Sequence, residues 1–424
     1  MAKIVLFVDA MDKDDLTGRL TQTYRGQVPS GGPKVTPKVT GEVYTGSNPT
    51  EQGMGRAHAL GGEQPGRAED PVIMEKLEAA GYNVCSFWLP YALPLQLQSG
   101  AWISEAMGQK QAGQSPFAQL GQQVPTSGDL MDPEDDGSLA WNARTDEWFL
   151  RSSHLMQTLR HGQFDVAFVG VRSPDQYTHF QQDRPFRERI VEDIAHEINR
   201  WEVNHDVLWW SDHGNEPKEE TFRVNAWLAE KGYLDIDVDV EFHARLTDVQ
   251  QDAQPGGQQV ENQIGLHSPS VEINGGLAAS GDPYDSCLTF LGDPDQSEVD
   301  SMVSDLMDTG MYRWIKPTEE AWGTGRFIEE CPDLIAHRAD NVLVTGNVHP
   351  EPIGMGFHRS GVHSAEGVWG TTDDDFTVAA AHRVSPKRLH DVIWQFVTGE
   401  SQVAAEVEQR LQQARQAMEA VGDG

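Results

Sequence analysis

Short, nearly unbroken apolar runs recur along the chain, at residues 4–8, 82–89, 164–169 and 206–210, with later candidates at 341–344 and 376–380. Runs of this kind suit strands buried on both faces of a parallel sheet. The segments between them carry a helical period. Residues 70–80 end at Gly81, and 185–201 open on a proline, which suits a first helical turn. Residues 221–230 end at Gly232, and 297–308 and 386–397 repeat the pattern. Strands alternating with helices predict an α/β fold, a three-layer sandwich around a mostly parallel central sheet.

Two stretches break the rhythm. Residues from about 95 to 140 are rich in Gln, Gly, Ser and Asp and read as an insertion over one sheet edge. Residues from about 236 to 335 hold short strand-like pieces and turns such as Gln254-Pro255-Gly256-Gly257. They are expected to form a smaller cap region inserted into a core made of 1–235 and 336–424. Beyond residue 400, Ala, Glu, Gln and Arg at helical spacing read as a packing or dimer helix, so a homodimer is among the expectations.

Composition narrows the function classes. The chain has 424 residues, 38% of them hydrophobic and 12 of them Trp, enough for one large core or two medium ones. Asp and Glu outnumber Lys and Arg by 66 to 32, a formal net charge of −34. That field repels nucleic-acid backbones and anionic membranes, which disfavours a duplex or a membrane as partner. The acidic excess is spread along the chain and reads as adaptation to high salt. Cys85, Cys287 and Cys331 are odd in number and widely spaced, so no disulfide framework or zinc knuckle follows. Buried thiols in a reducing cytosol are the expectation. The first strand begins at once, leaving no room for a signal peptide, and no apolar stretch approaches the roughly 20 residues of a membrane helix. The expected location is the cytoplasm.

The candidate chemistry collects where strands end. Asp9 closes the first strand, Asp175 and His179 follow the 164–169 run, and Asp212-His213-Gly214 closes the 206–210 run. His363 lies in the glycine-punctuated Gly361-Val362-His363-Ser364. Ligands of open parallel sheets gather beyond the carboxyl ends of strands, so these six side chains can converge. Three Asp and three His suit two divalent cations with mixed oxygen and nitrogen ligands. Zinc fits that mix best, and manganese or iron would fit the same cage. A metal pair about 3.5–4 Å apart suits in-line displacement at phosphorus.

The succession Asp9, Thr36-Pro37, Thr45-Gly46-x-x-Pro49, Asp175-x-x-x-His179, Ser211-Asp212-His213-Gly214 and Gly-x-His363 resembles the alkaline phosphatase superfamily. Within it the type I phosphodiesterase and nucleotide pyrophosphatase branch is the most similar. The resemblance covers residues 3 to about 60, 160–230 and roughly 340–400. It implies that Asp175, His179 and His363 hold one metal and that Asp9, Asp212 and His213 hold the other. It also implies Thr36 as nucleophile, with a phospho-threonine intermediate and a small-molecule phosphoester substrate. Two positions depart from the family pattern. Gln52-Gly53 stands where many members have His-Gly, and Ala57 falls near the branch's phosphoryl-binding Asn. Arg56 or Lys38 would supply the missing electrostatic stabilisation, and His58 lies within reach of substrate; each also fits an ordinary surface or loop role.

Two other outcomes stay open. A phosphoryl mutase would return the phosphoryl group from the same intermediate to its substrate. A metal-binding regulatory protein without activity would account for the departures at 52 and 57. A sulfatase is disfavoured, since Thr36 and Thr40 stand where that branch needs a Cys or Ser with an Arg four residues on.

Overall fold

The computed structural model describes residues 2–12, 14–16, 19–20, 24–29, 36–59, 68–92, 95–98, 100–106, 109–113, 115–121, 138–172, 174–175, 184–238, 271–280, 287–346, 353–354, 361–364, 366–373, 376 and 383–400. The strands of its central sheet are β1 (Lys3–Val8), β2 (Tyr24–Pro29), β3 (Val84–Pro90), β4 (Ala101–Ala106), β5 (Gln109–Ala112), β6 (Val166–Val171), β7 (Asp206–Trp210) and β8 (Glu366–Thr371). They lie in the order β2-β8-β7-β1-β6-β3-β4-β5. From β7 to β4 every pairing is parallel. β8 runs antiparallel to both β7 and β2, and β5 antiparallel to β4. The sheet is therefore parallel at its centre and antiparallel at its margins.

Alternation along β1 explains why its sequence is apolar throughout. Ile4, Leu6 and Val8 face a core shared with Ile190, Ile194 and Ile198 of the helix Arg184–Trp201 and with Leu155 of the helix Ser138–His161. Val5 and Phe7 face the opposite core, with Val43 of the helix Thr36–Thr45 and Leu389, Ile393 and Phe396 of the helix Pro386–Thr398. Successive side chains on a strand point to opposite faces, so a strand covered on both sides needs no polar positions. The result is three layers, helices on both faces of the sheet.

A second lobe is built on a four-stranded sheet in the order Ala278–Ser280, Leu288–Phe290, Leu334–Arg338, Tyr312–Pro317, with the helix Gln296–Asp308 against it. Its core takes in Phe222, Trp227 and Leu228 from one side of the lobe's chain segment and Val342 and Val344 from the other.

Two expected elements differ in detail. The helix anticipated from residue 221 begins later, at Val224, because Glu220–Arg223 is a strand. Thr221 and Phe222 are buried there and pair in parallel with Val342–Thr345, a tertiary pairing that overrides the local period. That pairing also places the 341–344 run outside the central sheet. The last described strand of the central sheet is Glu366–Thr371; of the expected 376–380 run, residues 377–380 lie outside the described residues. Glycines at 367 and 370 disguise that strand in the sequence. At 367 the glycine is required, since a Cβ would collide with the carbonyl oxygen of Ser211 and come within 2.8 Å of the Asp212 carbonyl carbon. The 95–140 stretch supplies β4 and β5 to the sheet edge. No helix among the described residues is long and apolar enough to cross a membrane.

Candidate active site

The carboxyl ends of β1, β6 and β7 are tied together by short bonds. The Asp9 amide donates to the Val171 carbonyl at 2.8 Å, extending the β1–β6 register by one residue. The chain then turns sharply, with Ala10 in the left-handed region at φ 63°. A non-glycine residue there is uncommon and persists only where its surroundings hold it. Here Asn215 Nδ2 donates to the Ala10 carbonyl at 3.1 Å, and the Met11 amide donates to Ser211 Oγ at 2.8 Å. Ser211 Oγ in turn donates to the His213 carbonyl at 2.6 Å. The Ser of Ser-Asp-His-Gly is thus the clip between two strand ends. His363 arrives on the strand Gly361–Ser364, which pairs antiparallel with Gly214–Pro217 and sets His363 opposite Asn215.

These ties bring five of the six expected ligands together. His213 Nε2 lies 3.3 Å from Asp212 Oδ2 and 3.5 Å from Asp9 Oδ1. His363 Nε2 lies 3.5 Å from Asp175 Oδ1, and the His213 and His363 rings stack with centroids 3.7 Å apart. Asp9, Asp212 and His213 offer ligand atoms all within 4.8 Å of one another, and so do Asp175, His213 and His363. His213 is common to both groups. His179 lies outside the described residues. Thr36 is the first residue of its helix, buried, with Oγ1 3.5 Å from Asp9 Oδ1.

Charge shows what this pocket suits. Asp9 and Asp212 are fully buried. Burial, then Asp212 and Asp175, hold the Asp9 carboxyl well above the usual carboxylate range. Burial pushes the Asp212 carboxyl up to about 6. Both Asp212 oxygens lie in the interior with no donor at good hydrogen-bond geometry among the described residues, although the Thr36 hydroxyl and the His213 ring stand close. Several carboxylates buried side by side are unfavourable unless a cation compensates them. His213 Nδ1 lies 3.1 Å from the Gly214 carbonyl, a contact that places the ring proton on Nδ1 and leaves the Nε2 lone pair toward the carboxylates. The donor set therefore fits divalent cations.

Two consequences can be measured. Because the folded state holds the Asp212 proton up to about 6 against an ordinary 3.8, its carboxyl costs stability progressively as pH rises through that window. A cation must expel that proton to bind. The rise in melting temperature produced by added divalent metal should accordingly be small near pH 5 and grow as pH passes 6, followed by calorimetry with and without metal; a constant rise across that range would contradict it. Separately, Gly367→Ala should displace Ser211 and Asp212. Weakened metal uptake by a still folded protein is the expected result, and unchanged uptake would show that the Gly367 contact is not needed.

Lys38, Arg56 and His58 sit together where the second lobe packs against the Thr36 helix and the turns after it. Lys38 is buried, paired with Glu42 at 3.2 Å and 5.9 Å from the Trp322 ring. His58 is buried edge-on to Trp322, with ring centroids 5.7 Å apart. Arg56 bridges Glu69 at 2.8 Å and Glu330 at 3.5 Å beside the Phe327 ring. Gln52 is fully buried, its Oε1 accepting from the Met54 amide at 3.1 Å and its amide packed on Gly41. Sequence reasoning missed Arg172, whose Nε donates to Asp9 Oδ2 at 3.2 Å. The available signal was a cation immediately after a buried strand and three residues before Asp175. It also missed Tyr44, buried edge-on to Trp210 with its hydroxyl raised in pKa by burial and then by Asp212 and Asp9.

The architecture is shared with solved structures. Phosphonoacetate hydrolase from Sinorhizobium meliloti 1021, in complex with phosphonoformate, superposes with a TM-score of 0.63 at 14% identity, over 94% of this chain and 95% of that one. Murine ectonucleotide pyrophosphatase/phosphodiesterase 5 gives 0.53 at 11% identity, with the same two coverages. The alkaline phosphatase PafA gives 0.52 at 13%, over 93% and 95%. All three are members of the alkaline phosphatase superfamily, and the fold of this chain is the alkaline phosphatase-like one. No protein-family model and no curated protein sequence matches the chain.

Proposed function

We propose that this protein is a metal-dependent phosphoester hydrolase of the phosphodiesterase or nucleotide pyrophosphatase type, acting through a phospho-Thr36 intermediate. The observation that carries the reading is the convergence of Asp9, Asp212, His213, Asp175 and His363 at the strand ends, with the Thr36 hydroxyl beside Asp9. Asp9, Asp212 and His213 would hold one divalent ion, and Asp175 and His363 the other together with His179. Bound there, such ions lower the pKa of a coordinated hydroxyl and neutralise charge developing on phosphoryl oxygens. Zinc is the ion proposed, with manganese or iron as the alternatives to test.

The chain's own residues supply the rest. Thr36 opens a ten-residue helix, so the positive end of its dipole and the first-turn amides, other than that of Pro37, which has no N–H, lie at the same end of the helix as Thr36. An anionic phosphoryl group placed before Thr36 meets donors that have no intrahelical partner. Thr36 Oγ forms the bond to phosphorus as the bond from phosphorus to the ester oxygen breaks, the hydroxyl proton ending on the departing alcohol. Water then cleaves the phospho-Thr36 ester, restoring the hydroxyl and releasing the phosphate product. Splitting the displacement in two in this way is the general benefit of covalent catalysis.

The test is turnover by the purified, chelator-treated protein reloaded with zinc, manganese or iron. Substrates should include p-nitrophenyl phosphate, its bis ester, a nucleotide pyrophosphate and phosphonoacetate, a ligand crystallised in the Sinorhizobium meliloti enzyme. Metal-dependent release from a phosphoester is expected. Absence of turnover on every substrate with every metal would sink the proposal.

A further inference from the structure

Arg172 is a buried-site cation that neither the ligand set nor the nucleophile accounts for. It follows Val171, the last residue of β6, and Val171 pairs with Val8 at the end of β1. The parallel register therefore sets Arg172 beside Asp9 as the two strands leave the sheet. The two oxygens of Asp9 face different partners. Oδ2 takes the Arg172 Nε–H at 3.2 Å, whereas Oδ1 lies 3.5 Å from both Thr36 Oγ1 and His213 Nε2. Asp9 has no solvent exposure, and the Arg172 side chain retains 24%. The guanidinium therefore reaches a wholly buried carboxylate from a partly exposed position.

We infer that Arg172 is a positioning residue that occupies Asp9 Oδ2 and so aims Oδ1 alone at the cation shared with Asp212 and His213. The role rests on the two-metal reading above. A hydrogen bond from a charged donor to a carboxylate is stronger than a neutral one, and the planar guanidinium holds its Nε–H in a fixed direction. Without such a partner Oδ2 would be a buried acceptor with nothing to bond, and the carboxylate could rotate or turn both oxygens to one ion. Outer partners of metal-bound carboxylates typically set affinity by about 10–100-fold. The positive charge also offsets part of the repulsion among Asp9, Asp212 and Asp175, since Arg172 interacts with both Asp9 and Asp175.

The experiment is calorimetric titration of zinc or manganese into chelator-treated wild type, Arg172→Met, Arg172→Lys, Asp9→Asn and the double variant. Wild type should take up two ions. Arg172→Met should weaken one of them by about 10–100-fold and leave the other within about twofold. Arg172→Lys should recover part of the loss by restoring a cation. Asp9→Asn combined with Arg172→Met should bind no more weakly than Asp9→Asn alone, because the effect acts through Asp9. If Arg172→Met does not fold, Arg172→Gln reads the same site, with the same direction expected. Wild-type affinity at both sites, equal weakening of both, or losses that add in the double variant would each overturn the positioning role. A wild type that binds fewer than two ions would instead remove the two-metal reading, and this role with it.

Discussion

Thr36→Ala is expected to abolish turnover while leaving metal uptake and the melting profile close to wild type. Loss of a covalent nucleophile in a hydrolase lowers kcat by a factor on the order of 10⁶ at the extreme. A water attacking directly would leave a residue of activity, so a fall of at least about 10³-fold is the outcome that supports the assignment. The substitution should be mild structurally. Thr36 opens its helix, and Thr40 Oγ1 donates to the Thr36 carbonyl, a bond that alanine keeps. Thr36→Ser, retaining the hydroxyl, should keep much more activity than Thr36→Ala. The measurement is kcat/KM on whichever phosphoester the wild type turns over, with mass spectrometry of acid-quenched enzyme to look for phosphate on Thr36. Equal activity in wild type and Thr36→Ala would show that another group attacks phosphorus.

The second large effect concerns Asp212. Asp212→Asn removes a buried negative charge from the group formed with Asp9 and His213. For folding alone this should be neutral or stabilising, since burial already pushes that carboxyl up to about 6 and the charged form is disfavoured. For metal binding it should be severe, because an amide is a poor replacement for a carboxylate and leaves Asp9 as the one anionic ligand beside the His213 imidazole. The prediction is a divergence in which thermal stability in chelator holds or rises while metal affinity and turnover collapse. Removing metal from the wild type with chelator should reproduce the loss of turnover, and returning metal should reverse it. If Asp212→Asn retains both metal and rate, Asp212 is structural.

Much of this was legible beforehand, and the reasons are specific. β1, β6 and β7 are buried on both faces, so their sequences are apolar without alternation and announce themselves. Asp9, Asp212 and His213 stand out because polar groups end those runs. What stayed hidden is tertiary. Gly367 of β8 reads as a loop residue because its purpose, clearance from Ser211 and Asp212, exists only after the strands pair. Thr221 and Phe222 carry a helical period yet form a strand, because Val342–Thr345 is there to receive them. Arg172 gains meaning only from the register of β1 against β6, which no local window contains. The burial of Lys38 and His58 against Trp322 depends on the second lobe, whose docking the sequence gives no way to infer.

The order in which the cage residues occur along the chain bears on how the protein acquires its chemistry. Asp9 comes near the beginning, Asp175 and the Asp212-His213 pair in the middle and His363 towards the end, and His213 belongs to both candidate ligand groups. Apart from the adjacent Asp212 and His213, the proposed cage is thus a non-local object, and contacts of such sequence separation are closed late because loop entropy opposes them until the rest is in place. No fragment lacking either end can contain it. During refolding, tight metal capture should lag behind the appearance of helix and sheet. The spectroscopic signal of a bound ion such as cobalt would then serve as a clock for the last stage of assembly.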